Sequence, residues 1–417
     1  MFLTHYFPGT KKNQTYFCVL KTLLFSIHYL ELGGAERSLI GLLRALDYSK
    51  VQVDLFVYSH RGELMKEIPK DVNLLPEIPD YAQIERPLKD VLKDGHLRLL
   101  LARIKAKWQF AQYRRKNHPK DGSAIFSYVA KNVTPLLPLI NPEKEYDLAV
   151  SFLAPHDIVL KKVRARKKAC WIHTDYTKVD VNPDIELPVW NQYDHIAAVS
   201  DGVAEAFLKR FPSLREKVGV IPNIIDTQYV QEQSRAFDVK GEMPQEDGKI
   251  HLLSVGRFTE AKNFDNVPDI CRRILDAGIP VRWFLIGYGG DEALIRQRIA
   301  EAGMEKHVII LGKKDNPYPY MLACDIYVQP SRYEGCPVTI QEAQALGKPV
   351  VATAFPTVKS AIQDGVNGAI VPLDNEGCAQ GIIRVLRDLD LQKRISGIHH
   401  EDLIENKSLT TIYEWTK

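Results

Sequence analysis

The feature that most constrains the fold is a strand–loop–helix–strand pattern in the last third of the chain. Asp325 to Gln329 predicts a buried strand, and the helix predicted after the loop runs from Pro337 to Leu346. Proline suits a first helical position, where its missing N–H costs no hydrogen bond, and Gly347 is placed to end the helix. The free N–H groups at the helix start would then face the region beyond the strand's carboxyl end, a geometry that binds phosphate.

Two carboxylates flank this predicted phosphate site. Glu334 lies in the loop before the helix, and Glu342 follows eight positions later, inside the helix. A carboxylate only accepts hydrogen bonds, so it suits hydroxyl-rich ligands such as sugars and ribose. An ordinary strand-to-helix turn with surface acids is the alternative, but the combination of Glu, Gly, Pro and a second Glu is much more specific.

The run from Glu334 to Glu342, followed by Ala-Gln-Ala-Leu-Gly-Lys-Pro-Val-Val, resembles the signature of family 4 of the retaining glycosyltransferases. The resemblance covers nearly the whole chain and implies an α/β fold of GT-B type, with two Rossmann-like domains whose parallel sheets face a central cleft. It also implies a metal-independent, hexosyltransferase-type enzyme with no cofactor. That enzyme would move a sugar from a nucleotide-diphosphate sugar to an acceptor hydroxyl and keep the anomeric configuration. One departure is Cys336, where the family more often has Phe or Leu.

The length allows two domains, each large enough for its own core. We predict an N-terminal extension over residues 1–21 and a first, acceptor-binding Rossmann-like domain over residues 22–222. A second Rossmann-like domain, over residues 223–399, is predicted to bind the nucleotide-sugar donor. The resemblance implies that a last helix, at about residues 400–417, crosses back onto the first domain.

Composition favours a cytoplasmic protein. The chain has 55 Lys and Arg against 52 Asp and Glu, so the distribution of charge matters more than the net +3. Six scattered cysteines form no C-x-x-C pair, which argues against a zinc site or a disulfide framework. The apolar stretch over residues 16–30 is too short and too polar for a membrane span. A signal peptide is its alternative reading, but we favour a first strand from Thr22 to His28, because a glycine loop and a helix follow it.

A βαβ unit opens the first domain. The first strand is followed by Gly33 and Gly34, a helix from Arg37 to Leu46, and a second strand from Val51 to Tyr58. A glycine pair alone indicates only a turn. The resemblance implies that Gly33 and Gly34 lie against the donor diphosphate.

The segment from His96 to Lys120 is basic and contains no acidic residue, and apolar residues are interleaved with the basic ones. This pattern predicts an amphipathic helix that lies on an anionic membrane surface, which would make the protein peripheral on the inner face of the membrane. The alternative is a solvated helix packed on its own domain. No nucleic-acid partner is expected, since no base-reading module is visible.

His173 ends a predicted strand, Lys168 to His173, at the position where α/β proteins bind ligands. A metal pair with Asp175 is the alternative, but no third ligand is in view. The resemblance implies that His173 lies beside the transferred sugar and shapes the acceptor side.

The second domain opens with a strand from Lys249 to Val255, followed by a loop that carries Arg257 and Lys262. Surface charge is the alternative for both residues. The resemblance implies that they bind the donor diphosphate, which Arg can grip through two parallel hydrogen bonds. Gly287 begins a Gly-Tyr-Gly-Gly run that lacks the spacing of a dinucleotide fingerprint, so we interpret it as a tight turn near the nucleotide.

The resemblance therefore implies two sets of site residues. The catalytic set is His173, Arg257, Lys262 and Glu334, and the donor-binding set is Gly33, Gly34, Gly287, Gly335, Cys336, Pro337, Val338 and Glu342. The expected partners are a nucleotide-sugar donor and a glycan or lipid-linked acceptor from bacterial surface polysaccharide synthesis, the latter by analogy alone. A sugar-nucleotide epimerase of the same fold and a non-catalytic sugar-nucleotide-binding subunit remain alternatives. The sequence does not identify the sugar, the base or the acceptor.

Overall fold

Two fully parallel β-sheets organise the chain in the computed structural model, which describes residues 20–119, 121–245, 248–397 and 402–417. The extension predicted over residues 1–21 lies outside the described residues except at its last two positions. Each sheet is covered by helices on both faces. The α/β fold with two Rossmann-like domains, predicted from the sequence, is confirmed.

The first sheet is built from the N-terminal half of the chain. Its strands are β1 (Lys21–Ile27), β2 (Val51–Val57), β3 (Asn73–Leu74), β4 (Tyr146–Ser151), β5 (Ala165–Ile172), β6 (His195–Ala198) and β7 (Val218–Val220). They lie in the order β3-β2-β1-β4-β5-β6-β7. The strand order therefore reverses beside β1, and ligands of α/β sheets bind at such a reversal, beyond the carboxyl ends of the strands.

The second sheet repeats this arrangement. Its strands are β8 (Ile250–Val255), β9 (Val281–Ile286), β10 (Val308–Gly312), β11 (Ile326–Gln329), β12 (Val350–Thr353) and β13 (Ala369–Val371). Their order, β10-β9-β8-β11-β12-β13, reverses beside β8. The register of β8 on β9 runs without a break from Ile250 opposite Val281 to Val255 opposite Ile286.

Helices connect the strands in both halves. Those of the first half are α1 (Gly34–Ala45), α2 (Pro79–Ala82), α3 (Leu88–Lys93), α4 (Leu97–Asn117), α5 (Ile125–Val133), α6 (Asp157–Lys162), α7 (Pro183–Trp190), α8 (Asp201–Arg210) and α9 (Thr227–Gln233). Those of the second half are α10 (Val267–Asp276), α11 (Glu292–Glu301), α12 (Tyr318–Ala323), α13 (Val338–Ala345), α14 (Asn375–Arg387), α15 (Leu389–Ile395) and α16 (Asp402–Glu414). Within the described ranges, none of these helices combines the length and the apolar character that crossing a membrane requires.

The central strands are apolar on both faces because helices cover both faces of each sheet. Leu23, Leu24 and Phe25 in β1 are fully buried, and Trp283 in β9 is the largest fully buried side chain of the second half. Burial of this kind contributes roughly 1.5–3 kcal/mol for each large apolar side chain.

The C-terminal helix α16 packs on the first domain. Ile412 is fully buried in the core of that domain, and the Tyr413 hydroxyl accepts a hydrogen bond of 2.8 Å from the Asp47 backbone N–H. Just beyond the helix, Trp415 stacks on His195 with ring centroids 4.6 Å apart. The end of the chain therefore ties the two halves together.

Two helix starts differ from the sequence prediction. Helix α1 begins at Gly34 and not at Arg37, because the Arg37 N–H already donates to the Gly33 carbonyl at 3.0 Å and Gly33 is the N-cap. Helix α13 begins at Val338, so Pro337 is its N-cap and not its first residue. The first shift matters for function, because it places Glu36 and Arg37 inside the first turn of α1.

Candidate functional site

A cleft of 670 Å³ lies between the two domains, beyond the carboxyl ends of β1, β5, β8 and β9. The sequence-predicted site residues that line it are Gly33, Gly34, His173, Arg257, Lys262, Gly287, Glu334, Gly335, Cys336, Pro337 and Val338. Glu342 is the one predicted site residue that does not line the cleft, and it lines a smaller cavity instead. The fold therefore brings into one crevice residues that lie hundreds of positions apart in the sequence.

The cleft carries more positive than negative side chains. Its basic lining residues are Arg37, Arg257, Lys262, Lys313 and Lys314, and its acidic ones are Glu36 and Glu334. A concave surface with an excess of one charge focuses the field and attracts ligands of opposite charge. Arg37, Lys262, Lys313 and Lys314 each pair with a carboxylate, so the attraction of this lining for an anion such as a diphosphate comes mainly from Arg257.

Lys262 and Glu334 form an ion pair at the floor of the cleft. Lys262 Nζ lies 2.5 Å from Glu334 Oε1, and both side chains are largely buried. The same oxygen accepts hydrogen bonds from Ser331 Oγ at 2.6 Å and from Gln329 Nε2 at 3.1 Å. None of these contacts uses Oε2. The two residues are therefore held rigidly, each by the other.

Arg257 is exposed to the cleft, and its positive charge attracts the carboxylate of Glu36. The sequence analysis missed Glu36. Burial raises the pKa of Glu36, and the Arg257 charge lowers it only in part. Glu36 folds back over Gly33, where an added Cβ would lie 2.1 Å from the Glu36 Oε2 atom. A glutamate three residues after an N-cap is half of a capping box, but the N-cap Gly33 has no side chain to supply the other half, so the sequence carries only a weak signal.

The loop before α13 is where the second domain touches the first. A Cβ added to Gly335 would lie 2.0 Å from the His173 carbonyl oxygen, so only glycine permits this approach. Cys336 packs against the core of the first domain, and Ser200 Oγ donates to the Gly335 carbonyl at 3.4 Å. The backbone at the start of α13 therefore faces the cleft directly.

Gly287 brings the loops after β8 and β9 together. Its φ is +158°, and a Cβ there would lie 1.9 Å from the Gly256 carbonyl oxygen. No other residue fits such an approach without moving the backbone. The turn predicted at this position is thus part of the wall that carries Arg257.

His173 lies at the cleft, and one of its imidazole nitrogens has no partner among the described residues. Its ring hydrogen-bonds the Phe152 backbone, and burial lowers its pKa to about 4. Among the residues that the structure describes, Nε2 is buried and meets no hydrogen-bond partner. His173 is therefore neutral at physiological pH and offers Nε2 to a bound ligand.

The alternative metal site at His173 gains no support. Asp175 uses Oδ1 to accept hydrogen bonds from the backbone N–H and the hydroxyl of Thr177, at 2.8 and 2.7 Å. In the part of the chain that the structure describes, no three His, Cys, Asp or Glu side chains are grouped so that they could hold a metal ion.

Glu342 lies behind the cleft, in contact with a second residue that the sequence analysis missed, Arg37. Its Oε1 accepts hydrogen bonds from the Tyr318 hydroxyl at 2.8 Å and from Arg37 Nη1 at 3.4 Å. Burial raises the pKa of Glu342. Its Oε2 is buried and has no partner among the described residues, and the adjoining cavity measures only 80 Å³. An unpaired buried carboxylate oxygen is costly unless a ligand hydroxyl completes it.

Two parallel-sheet Rossmann-like domains that face one cleft define the GT-B fold. A crystal structure of Anabaena HepE with UDP and glucose matches 94% of this chain and 98% of its own, with a TM-score of 0.64 and 17% identity. Staphylococcus aureus TarM, crystallised with UDP, matches 95% of this chain and all of its own, with a TM-score of 0.67 and 12% identity. At such low identity the likeness establishes the fold.

The sequence comparisons show a family likeness over most of the second domain. Residues 238–399 match the model of glycosyl transferases group 1. Over 222 residues the chain is 28% identical to the lipopolysaccharide core biosynthesis glycosyltransferase LpsE of Rhizobium meliloti, covering 52% of this chain and 61% of that protein. Over 145 residues it is 32% identical to the amylovoran biosynthesis glycosyltransferase AmsK of Erwinia amylovora, covering 33% and 35%. The chain thus spans less than two thirds of either relative.

Proposed function

We propose that this protein is a retaining glycosyltransferase that moves a sugar from a nucleotide-diphosphate sugar to an acceptor hydroxyl. The observation that carries the proposal is the convergence of Arg257, Lys262 and the start of α13 on one cleft. The match to glycosyl transferases group 1 covers the domain that supplies these groups.

The donor diphosphate would lie between Arg257, Lys262 and the N–H groups at the start of α13. Helix N-termini and basic side chains both stabilise phosphate charge, and they act most strongly in a site that excludes water. Lys262 is already fixed by Glu334, so it needs no reorganisation when charge develops on the leaving group. These groups would supply the stabilisation that other transferases obtain from a metal ion.

The proposed chemistry proceeds on one face of the sugar. The bond between the anomeric carbon and the diphosphate oxygen breaks, and the diphosphate leaves with the electron pair. The acceptor oxygen then forms its bond to the same face of that carbon, which retains the configuration. The acceptor proton passes to the leaving diphosphate, so no separate protein base is required.

The carboxylates would hold the donor at two points. Glu334 would bind sugar hydroxyls through Oε2, the oxygen that its contacts with Lys262, Ser331 and Gln329 leave unused. Glu342 would bind the ribose through Oε2, which has no partner in the part of the chain that the structure describes. His173 would accept a hydrogen bond at Nε2 on the acceptor side of the sugar.

Helix α4 supports a place at the membrane surface. Leu97, Leu101, Ile104 and Trp108 are 57%, 67%, 47% and 61% exposed, and their spacing places them on one face of the helix. Exposed basic residues, Arg98, Lys105, Lys107, Arg114, Arg115 and Lys116, occupy the same helix. An exposed apolar stripe beside basic residues is typical of helices that bind anionic membranes. The relatives LpsE and AmsK are named for lipopolysaccharide core biosynthesis and amylovoran biosynthesis. A role in making a bacterial surface polysaccharide agrees with a position at the membrane surface.

Nucleotide release tests the transfer function. The protein is incubated with a panel of UDP-, GDP-, ADP- and dTDP-sugars, and free nucleotide diphosphate is measured together with the anomeric configuration of the product by NMR. We expect one donor to release its nucleotide and the Lys262→Ala variant to be strongly impaired. An epimerised donor without nucleotide release would identify the epimerase alternative, and donor binding without turnover would identify a non-catalytic subunit.

A further inference from the structure

A second cavity, of 340 Å³, lies in the first domain between α5, α7 and the end of β5. It continues into the cleft, because Phe126, Leu153, His173 and Thr174 line both spaces. We call it the aromatic pocket. A ligand in it would reach the cleft at His173, opposite the charged wall of the second domain.

Aromatic side chains form much of its wall. Trp171 and Trp190 are only 3% and 2% exposed and Tyr176 is partly buried, whereas Phe126 at the mouth is 60% exposed. An aromatic ring that is exposed at the mouth of a cavity offers an apolar surface without a partner. Ligand pockets combine such surfaces with a few polar groups that fix orientation.

The Glu186 carboxylate is one of the polar groups that line this pocket. It accepts hydrogen bonds from Ser127 Oγ at 2.6 Å, from Trp190 Nε1 at 3.3 Å and from the Tyr176 hydroxyl at 3.3 Å. Burial raises its pKa. Each carboxylate oxygen has more than one acceptor site, so Glu186 can accept a further hydrogen bond from a ligand hydroxyl.

These features favour a sugar ring over a hydrocarbon chain. A chain in the pocket would cover the Glu186 carboxylate without offering it a hydrogen bond in place of water, which is unfavourable for a polar group. A sugar presents C–H groups to the aromatic rings and hydroxyl donors to the carboxylate and the imidazole. It therefore satisfies both kinds of surface at once.

We propose that the aromatic pocket is the acceptor subsite and takes a sugar ring whose reacting hydroxyl faces the cleft while a neighbouring hydroxyl donates to His173 Nε2. The inference rests on the transfer function proposed above. Glu186 and Phe126 would then select the acceptor, while the second domain selects the donor.

Sugar binding to the pocket can be measured without knowing the natural acceptor. Saturation-transfer NMR titrations would use three probes, the methyl α-glycosides of glucose, galactose and N-acetylglucosamine, with 1-decanol as an apolar chain. The variants are Phe126→Ala and Glu186→Gln. Phe237→Ala, which removes another exposed phenylalanine from the second domain, is the matched control. We expect at least one glycoside to bind the wild type and the control, and to bind roughly tenfold or more weakly in both pocket variants.

Three results would overturn the subsite. No glycoside binds the wild type, binding is unchanged in both pocket variants, or only decanol binds and only Phe126→Ala weakens it. Because Phe126 is exposed, that variant remains informative if Glu186→Gln does not fold. Nucleotide-sugar binding, measured on the same samples, separates the two proposals: nucleotide binding without glycoside binding refutes the subsite alone, whereas glycoside binding without any nucleotide binding refutes the transfer function.

Discussion

The ion pair between Lys262 and Glu334 holds two residues of the candidate site in place. Each was predicted from its own loop, but their 2.5 Å ion pair follows from the packing of those loops after β8 and β11. The pair fixes the ammonium group toward the cleft and leaves Glu334 Oε2 outside the contacts described. A charge held in advance contributes more to a transition state than one that must first be ordered.

Replacing Lys262 by alanine should lower turnover by roughly 10²–10³-fold, the scale expected for loss of one preorganised charge contact. Steady-state release of nucleotide from the preferred donor measures the effect. Lys240→Ala is the matched control, since that side chain is 80% exposed in the same domain. Turnover of Lys262→Ala close to that of the control would remove Lys262 from the proposed chemistry.

The buried His156 and the half-buried His173 predict how stability changes with pH. Burial lowers the pKa of His173 to about 4 and that of His156 to about 3, against 6.5 for an ordinary histidine. Below pH 6.5 the unfolded chain therefore binds protons that the folded chain does not, so the free energy of unfolding falls as the pH drops from 6.5 toward 4. Each histidine contributes up to about 1.4 kcal/mol per pH unit in that window.

Urea unfolding at pH 6.5 and pH 5 measures this loss. The variant with both His156→Gln and His173→Gln should lose less stability than the wild type between the two values. An equal loss in both proteins would show that the histidines already bind protons in the folded state.

The sequence identified site residues best where a charged residue or a glycine occurs in a loop directly after a predicted strand. Arg257, Lys262, Gly287 and Glu334 each follow a predicted strand, and the carboxyl ends of parallel strands share one edge. Arg37 was missed because its partner Tyr318 lies 281 positions away. Contacts between domains depend on how the domains pack, which local periodicity does not encode.

At the scale of elements, the starts of α1 and α13 face each other across the cleft. The sequence predicted both helices, but it placed the start of α1 three residues late. That shift put Glu36 outside the helix and hid its place in the first turn, where it folds back over the N-cap residue Gly33. Helix boundaries follow from capping contacts, which the apolar periodicity does not reveal.

Helix α4 was predicted as amphipathic and basic, and the structure shows apolar residues on two sides of it. Leu99, Ala106 and Phe110 are buried in the domain, so part of the apolar pattern reflects ordinary packing. The exposed stripe from Leu97 to Trp108 consists of the apolar residues that do not pack against the domain. Sequence alone could not divide the apolar residues between these two surfaces.

Changing Leu101 and Trp108 to glutamate should abolish binding to vesicles of anionic lipid, because it places charge in the apolar stripe. Reversal of the charges at residues 114–116 should weaken binding and make it less sensitive to salt. Flotation with phosphatidylglycerol vesicles measures both effects. A wild-type protein that does not float, or variants that float equally well, would assign α4 to packing alone.

At the scale of the whole molecule, the two domains are in direct contact through hydrogen bonds and an ion pair. Arg37 on α1 reaches Tyr318 Oη at 2.5 Å and the Asp315 carbonyl at 3.2 Å in the second domain. Lys66 on the first domain also lies 3.7 Å from the Asp315 carboxylate. These contacts join the two domains along one side of the cleft.

Gly335→Ala should reduce transfer more than it reduces stability, because the added methyl group collides with the His173 carbonyl and moves the domains apart. Comparison of kcat/KM with the melting temperature separates the two effects. The control is Gly219→Ala, where an added Cβ meets nothing within 4 Å. If Gly335→Ala retains the activity of the control, close approach of the domains is not required.

The most direct test of a metal-free diphosphate site is calorimetric titration with UDP, GDP, ADP and dTDP in the presence of a chelator. We expect one of them to bind the wild type. The double variant Arg257→Ala and Lys262→Ala should bind it roughly 10²-fold more weakly or worse, because two charge-assisted contacts are lost. Equal affinity in the double variant, or binding that appears only when Mg²⁺ replaces the chelator, would contradict a diphosphate site built from basic side chains and helix N–H groups.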